Sequence, residues 1–318
     1  MEHKVPPVIT VIGATGVGKS GFAINLAQKL RAANIRAEII NADSMQLYRG
    51  MDIGTAKLPL AQRAGVMHHM LDVLEPNAEA TVSAYQKQTG KLIDSLRTAG
   101  IAPILVGGSG LYINSVLYRM DFAPHNEEIR AQLESRYASS GIDPLIIELI
   151  KRDPTAEKML DLQNPRRVIR ALEVLQITGK TIAAQLPQKP ELLRPTRLYG
   201  IYEDRAVLVE RLAERTSAMW QQGLIDEVAG LLDLGILKSR TASQAIGYAQ
   251  AIAQLAGELT QSEAIAQTQL LTRKYARRQV SWFKRLHDVT WITSAQSCDE
   301  RQLHEIGADI AASVNTEI

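Results

Sequence analysis

Val8 to Ile12 is a run of five strand-favouring residues, VITVI, after which Phe22, Leu26 and Leu30 recur at helical spacing. That change of period predicts a strand running directly into an amphipathic helix. Ala37 to Asn41 predicts a second strand, Thr81 to Leu96 a helix with Ala84, Leu92, Ile93 and Leu96 among its inward positions, and Ala102 to Val106 another strand. Alternating strands and helices predict an α/β fold with a parallel sheet. From Asp121 the pattern turns wholly helical, over Asn126 to Ser139, Pro144 to Lys151 and Pro165 to Thr178. Pro187, Pro190 and Pro195 then predict a stiff, extended connection. Strand character resumes from Arg197 to Tyr202, a helix follows from Arg205 to Gln222, and Val289 to Ile292 and Asp299 to Val314 add a last strand and a closing helix. The expected organisation is a core of residues 1–120 and 196–318, interrupted by a helical insertion over 121–195.

Between the first strand and its helix lie Gly13, Ala14, Thr15, Gly16, Val17, Gly18, Lys19 and Ser20, which fit G-x-x-x-x-G-K-[ST]. Such a loop traps phosphate: backbone N–H groups and the helix N-terminus face the anion, Lys19 adds a cation, and the Ser20 hydroxyl is a ligand for Mg²⁺. The motif leaves open whose phosphates are held. In a nucleotide hydrolase a neighbouring strand would end in an acid that holds Mg²⁺. Here Ala102 to Val106 leads to Gly107, Gly108 and Ser109, which counts against hydrolysis. Ser109 either offers its hydroxyl to the crevice or simply serves a glycine turn. Asp43, just past the second strand, either faces the same crevice as Lys19 or makes an Asx turn.

Gly50 to Lys57 is a glycine-punctuated loop with one cation, equally suited to a substrate loop or a connector. His68 and His69 are adjacent, so on a strand they point to opposite faces and do not suit one metal. Arg166, Arg167 and Arg170 follow Pro165 at a helix start, where cations are unfavourable unless solvated or met by an anion. Arg215 shares a helical stripe with Leu208, Leu212 and Met219, so it either snorkels or is held inward by an anion. Arg273 to Arg285 carries six cations and no acid, interleaved with Tyr275, Trp282 and Phe283. That mixture suits phosphate contact with base stacking, or else an amphipathic helix whose aromatics, Trp282 above all, belong to the core.

Bulk composition narrows the class. At 318 residues, 46% hydrophobic and 22% charged, the chain matches a soluble globular enzyme. Lys and Arg outnumber Asp and Glu only 36 to 34, so nucleic-acid binding would have to come from local clusters. Cys298 is the single cysteine, which excludes an internal disulfide and a cysteine-based metal site. No signal-peptide layout and no run of eighteen apolar residues is present, so the expectation is a cytoplasmic chain without a membrane partner; a monomer is expected, although nothing in the sequence fixes the oligomeric state.

Taken together, GATGVGKS, NADSMQLYRGMDIGTAK, HHMLDV, GGSGLY, NPRRVIRALEV, the Arg205 to Met219 helix, AIGY and YARRQVSWF resemble the tRNA dimethylallyltransferases. The resemblance implies a P-loop core with a mobile helical insertion. It implies transfer of a dimethylallyl group from its diphosphate to N6 of the adenosine 3′ of the anticodon, with Mg²⁺ as cofactor and the tRNA anticodon stem-loop as partner. Asp43 then matches the general base, Arg215 the arginine at the diphosphate, and Ser109 a hydroxyl position where threonine is usual. Asp43, Ser44, Met45, Gln46, Ser109, Arg130, Gln163, Asn164, Pro165, Arg166, Arg167, Gly247 and Tyr248 match tRNA-contacting positions. Arg277 and Arg278 join them as expected contacts from the basic segment. Ala14 stands where proline is frequent, and Leu58 separates Lys57 from Pro59, where proline usually follows lysine directly. The alternatives are an adenylate isopentenyltransferase and a small-molecule kinase with ATP as the bound nucleotide.

Overall fold

The structure is a computed structural model that describes residues 5–120, 122–123, 125–181 and 191–315. Asp121, Pro187 and Pro190 lie outside the described residues. The first half builds β1 (Val8–Gly13), α1 (Lys19–Ala32), β2 (Ala37–Asn41), β3 (His68–His69), α2 (Val82–Thr98), β4 (Ala102–Gly107) and α3 (Gly110–Leu117). Next come α4 (Glu127–Ser140), α5 (Asp143–Arg152), α6 (Ala156–Met159) and α7 (Pro165–Thr178). The chain then returns through β5 (Thr196–Tyr202), α8 (Arg205–Gln221), α9 (Leu224–Asp233), α10 (Arg240–Ser243), α11 (Tyr248–Leu255), α12 (Gln261–Phe283), β6 (Val289–Thr293) and α13 (Glu300–Asn315).

These elements divide into two compact units, Arg119–Glu191 and the remainder of the chain. In the larger unit six strands form one parallel sheet in the order β3-β2-β4-β1-β5-β6. β1 and β4 pair at the centre, and every residue of each is buried, which is why both read as near-continuous apolar runs, Thr10 apart, rather than as alternation. The order also carries the chain from β1 over β4 to β2, so the loops after β1, β2 and β4 open at one end of the sheet.

The core under that end joins Ile9, Val11, Phe22, Leu26, Leu30, Ile104 and Val106 with Leu208 and Leu212 of α8. α2 is capped by the Thr81 side chain, which accepts a hydrogen bond from Ala84 N at 3.2 Å. Its buried stripe is Tyr85, Thr89, Ile93 and Leu96, and Ala84 is exposed, against expectation. Ala84 sits about 100° round the helix from Tyr85, and the larger ring takes the inward place.

The return to the sheet is clasped. Arg194 donates two hydrogen bonds of 2.6 Å to the Asp94 carboxylate, and this pairing holds Asp94 below the usual carboxylate range. Tyr118 and Leu192 form an antiparallel bridge, and Leu193 N donates to Leu117 O at 2.8 Å. Pro195 O then accepts from Val8 N at 2.9 Å as β5 joins β1.

In the smaller unit α4, α5 and α7 bury Leu133, Leu145, Leu149, Val168, Ile169 and Leu172 together. The short α6, unanticipated from sequence, adds Ala156 to this cluster. Glu173 on α7 is fully buried, yet its carboxylate is well satisfied. It accepts from Asn126 N at 3.1 Å, Arg130 at 3.2 Å and Arg170 at 2.9 Å, and lies 2.5 Å from His125 Nδ1. A buried carboxylate is tolerable only with such partners.

Candidate active site

The phosphate loop follows from β1 and α1. Gly13, Gly16 and Gly18 take φ values of 150°, 85° and 92°, conformations that side chains strongly resist. Lys19 Nζ donates to Ala14 O at 2.7 Å. Burial pushes its pKa down to about 8, against the opposing pull of Asp43, and Arg215 lowers it further. Ser20 is exposed on the first turn of α1 and lines the cleft. From α8, Arg215 donates to Thr15 Oγ1 at 2.8 Å. Its Nε is buried with no hydrogen-bond partner among the described residues. Arg215 therefore points inward rather than snorkelling, and a guanidinium with a buried spare donor suits an anion.

The loop after β2 brings Asp43 into the same cleft. Asn41 shapes this turn, accepting from Asp43 N at 3.0 Å and donating to Asp43 O and Met70 O, each at 2.9 Å. Tyr85 supports it from α2 by donating to Asn41 O at 2.7 Å. Asp43 Oδ1 accepts from Met45 N at 3.0 Å. The two readings of Asp43 thus coexist: it closes an Asx turn and faces Lys19. Burial raises its carboxyl pKa, while the Met45 and Gln46 amides, Lys19 and Arg215 oppose that rise.

Ser109 precedes α3 but does not cap it with its side chain. Its Oγ accepts instead from Ser44 N at 3.3 Å and faces the Tyr275 hydroxyl of α12. Burial pushes the Tyr275 hydroxyl up to about 12. One turn later on α12, Gln279 Oε1 accepts from Thr15 N and Gln279 Nε2 donates to Gly108 O, both at 2.9 Å. Sequence reasoning missed this glutamine, although its spacing of four from Tyr275 puts both on one helix face. It also missed Arg211, one turn before Arg215. Arg211 lines the cleft, donates to Gly16 O at 3.0 Å, and is held by Glu203 at 2.8 Å. Glu203 is in turn hydrogen-bonded by Ser294.

The remaining expected residues sort by exposure. Ser44 Oγ lies 3.4 Å from Ser109 Oγ, and Gln46 lines the cleft while donating to Thr55 O at 3.1 Å. Met45 is partly buried against the cluster around Tyr48 and Met51. Arg277 and Arg278 are exposed on α12, with the Arg278 guanidinium 5.7 Å from the Tyr275 ring centre. Tyr248 and Gly247, expected among the RNA contacts, are buried. The Tyr248 hydroxyl donates to Glu227 at 2.5 Å, and Glu227 in turn accepts from Ile53 N at 2.8 Å. Tyr248 therefore braces the Gly50–Lys57 loop from beneath.

Lys57 is no substrate cation. It is buried and bonds Asp52 and Asp72 at 2.6 Å each and Tyr48 O at 2.8 Å, which makes the loop a fixed connector. His68 Nδ1 contacts Val66 O and His69 Nε2 contacts Glu38, so the two rings do part company. Trp282, assigned to the core in one reading, is 39% exposed and packs beside Gly110. In the smaller unit Gln163, Arg166 and Arg167 are exposed, with Asn164 and Pro165 half-buried at the start of α7. Arg130 and Arg170 are tied to Glu173, so of three arginines at that helix start only Arg166 and Arg167 project into solvent.

The cleft has a cavity volume of about 300 Å³, at the lower end for small-ligand sites. Its lining combines three cations, Lys19, Arg211 and Arg215, and the carboxylate of Asp43 with apolar side chains from Ile39, Leu58, Leu71 and Val106. The arrangement suits an anionic head with a short hydrocarbon tail. Among the described residues no helix is long and apolar enough to cross a membrane.

Comparison with known proteins agrees with this chemistry. Residues 46–286 match the family described as IPP transferase. That span begins after the phosphate loop, whose assignment rests on its own motif and geometry. A tRNA dimethylallyltransferase of Clavibacter sepedonicus is 51% identical over 282 residues, covering 89% of this chain and 92% of its own. The full-length tRNA isopentenylpyrophosphate transferase of Bacillus halodurans superposes with a TM-score of 0.70 at 35% identity, covering 97% of each chain. A eukaryotic dimethylallyltransferase acting on tRNA gives a TM-score of 0.81 at 28% identity, covering 98% of this chain and 81% of its own. With the family matched over residues 46–286 and half of 282 aligned residues identical in one relative, this chain belongs to the IPP transferase family, that of the tRNA dimethylallyltransferases.

Proposed function

We propose that the chain transfers the dimethylallyl group of dimethylallyl diphosphate to N6 of the adenosine 3′-adjacent to the anticodon in tRNA, releasing diphosphate. The carrying observation is the placement of a carboxylate, Asp43, in one cleft with a phosphate loop, Lys19 and Arg215, beside a strand that ends without an acid. A diphosphate-leaving reaction needs a phosphate trap and no activated water. The N6 amine attacks the allylic carbon, the carbon–oxygen bond to diphosphate breaks, and the proton released from nitrogen passes to the Asp43 carboxylate. Lys19 and Arg215 stabilise the charge that develops on the departing diphosphate. Ile39, Leu58, Leu71 and Val106 give the hydrocarbon tail an apolar wall and displace water from it.

The donor set fits Mg²⁺ brought in with the diphosphate. Ser20 supplies one hard hydroxyl oxygen at the cleft, and phosphate oxygens supply others, in keeping with a cation that prefers few protein ligands. When bound, Mg²⁺ would neutralise diphosphate charge. A target adenine must leave its stack to reach such a cleft, so a single-stranded anticodon loop is the natural acceptor. Arg166 and Arg167 in one unit and Arg277 and Arg278 in the other are the cations we assign to its backbone.

Two expected results test this reading. Labelled dimethylallyl diphosphate should pass its label to total tRNA and not to AMP; transfer to AMP alone would assign the adenylate reaction instead. Arg277→Ala with Arg278→Ala should weaken tRNA binding and flatten its dependence on salt by about one unit of slope for each phosphate that an arginine no longer neutralises. An unchanged slope would return both arginines to the role of solvated surface.

A further inference from the structure

Gln279 is 4% exposed, and its amide bridges two turns of the active site, accepting from one and donating to the other. The turns close the neighbouring parallel strands β1 and β4. One carries the phosphate loop and the other carries Ser109. We propose that Gln279 is a positioning residue for the transfer: its side chain fixes the gap between these turns, and so the distance between the donor's reacting carbon and the acceptor amine. This rests on the function proposed above.

Three features support the assignment. The amide must accept on one side and donate on the other, which a glutamine in this orientation does and an acid or an aliphatic residue does not. A Cβ on Gly108 would lie 2.2 Å from Gln279 Nε2, so the backbone there has been brought against the amide as closely as a glycine permits. Finally, Thr15 N, a phosphate-loop donor, is committed to Gln279 rather than left for the anion. The same threonine holds Arg215 through its hydroxyl. Loss of Gln279 would therefore let the phosphate loop, with the guanidinium it holds, move as one body relative to the Ser109 turn, its own internal geometry kept.

A role confined to packing and a positioning role forecast different kinetics. Misplacing reacting groups by about 1 Å costs up to about 100-fold in rate. Diphosphate affinity should change little, because Lys19, Arg215 and the rest of the loop remain and Thr15 N is freed to face the anion.

The experiment uses the full chain with tRNA and dimethylallyl diphosphate, comparing wild type with Gln279→Leu and Gln279→Glu. The expected result is a kcat lower by about 10- to 100-fold per folded molecule, with KM for the donor and Kd for inorganic diphosphate within about threefold of wild type. Gln279→Glu keeps shape and acceptor but sets carboxylate oxygen against Gly108 O, so it should be no faster than Gln279→Leu. Thermal unfolding and the count of diphosphate-binding sites correct for misfolded protein. A wild-type kcat in either variant, or a deficit that disappears after that correction, would overturn the proposal. So would a raised donor KM at unchanged kcat. Failure of the wild type to modify tRNA would instead overturn the reaction assigned above, while diphosphate binding would still be measurable.

Discussion

Asp43→Asn should lower the transfer rate by roughly 10²- to 10⁴-fold, the range typical of a lost general base, with tRNA affinity little changed. The substitution is informative because it separates two jobs that one carboxylate performs. An amide oxygen at position 43 still accepts from Met45 N, so the turn that Asn41 and Tyr85 support should persist. What it cannot do is take the amine proton. Stability should not fall: burial raises the Asp43 pKa, so the folded state holds its proton to higher pH than the unfolded chain, and the ionised group destabilises the fold once pH exceeds the ordinary carboxylate range. Removing it should leave the neutral-pH melting temperature unchanged or raised. The wild-type rate should decline as pH falls through this raised pKa, and the variant's residual rate should lack that decline. Wild-type single-turnover rates in Asp43→Asn, with both substrates saturating, would remove Asp43 from the mechanism.

Lys19→Ala should cost about 2–3 kcal/mol of transition-state stabilisation, about 30- to 150-fold in rate, as for loss of one preorganised donor. The free enzyme should reveal the same group by titration. With its pKa brought down to about 8, Lys19 loses its proton near that pH before any anion arrives, so donor kcat/KM should fall on the alkaline side. The sign for stability runs the other way. Between about pH 8 and the ordinary lysine range the unfolded chain binds more protons than the folded one, so stability contributed by this site rises with pH across that window. At neutral pH the buried ammonium costs on the order of 3 kcal/mol without its ligand. Lys19→Met should therefore melt at a higher temperature than wild type while turning over slowly. A melting temperature below wild type would mean that the ammonium is better solvated than the cleft implies.

Much of this is legible from the chain because the central strands and their helices announce themselves by period. β2 falls where its apolar run ends, and Lys19, Asp43 and Arg215 meet in one cleft as strand order requires. What stays hidden depends on contacts between distant segments. Gln279 is 264 residues from Thr15 and 171 from Gly108, so nothing local marks it. Nothing local marks Tyr248, next to a glycine, as buried; that follows from its packing against Gly54 and its bond to Glu227. Lys57 reads as a free cation until Asp52 and Asp72 fold round it. Ala84 shows a smaller failure, in which the helical period is right and the phase is off by one residue.

The bridge between Tyr118 and Leu192 has a consequence for how the chain tolerates change in length. It draws the departing and returning segments together, so Arg119–Glu191 is a closed excursion from a gap already sealed within the larger unit. The entropy lost in closing such an excursion grows only as the logarithm of its length, and doubling or halving it shifts the balance by about 0.6 kcal/mol. Insertions and deletions there are nearly free to the sheet, whereas a residue added between β1 and Lys19 would displace every donor of the phosphate loop.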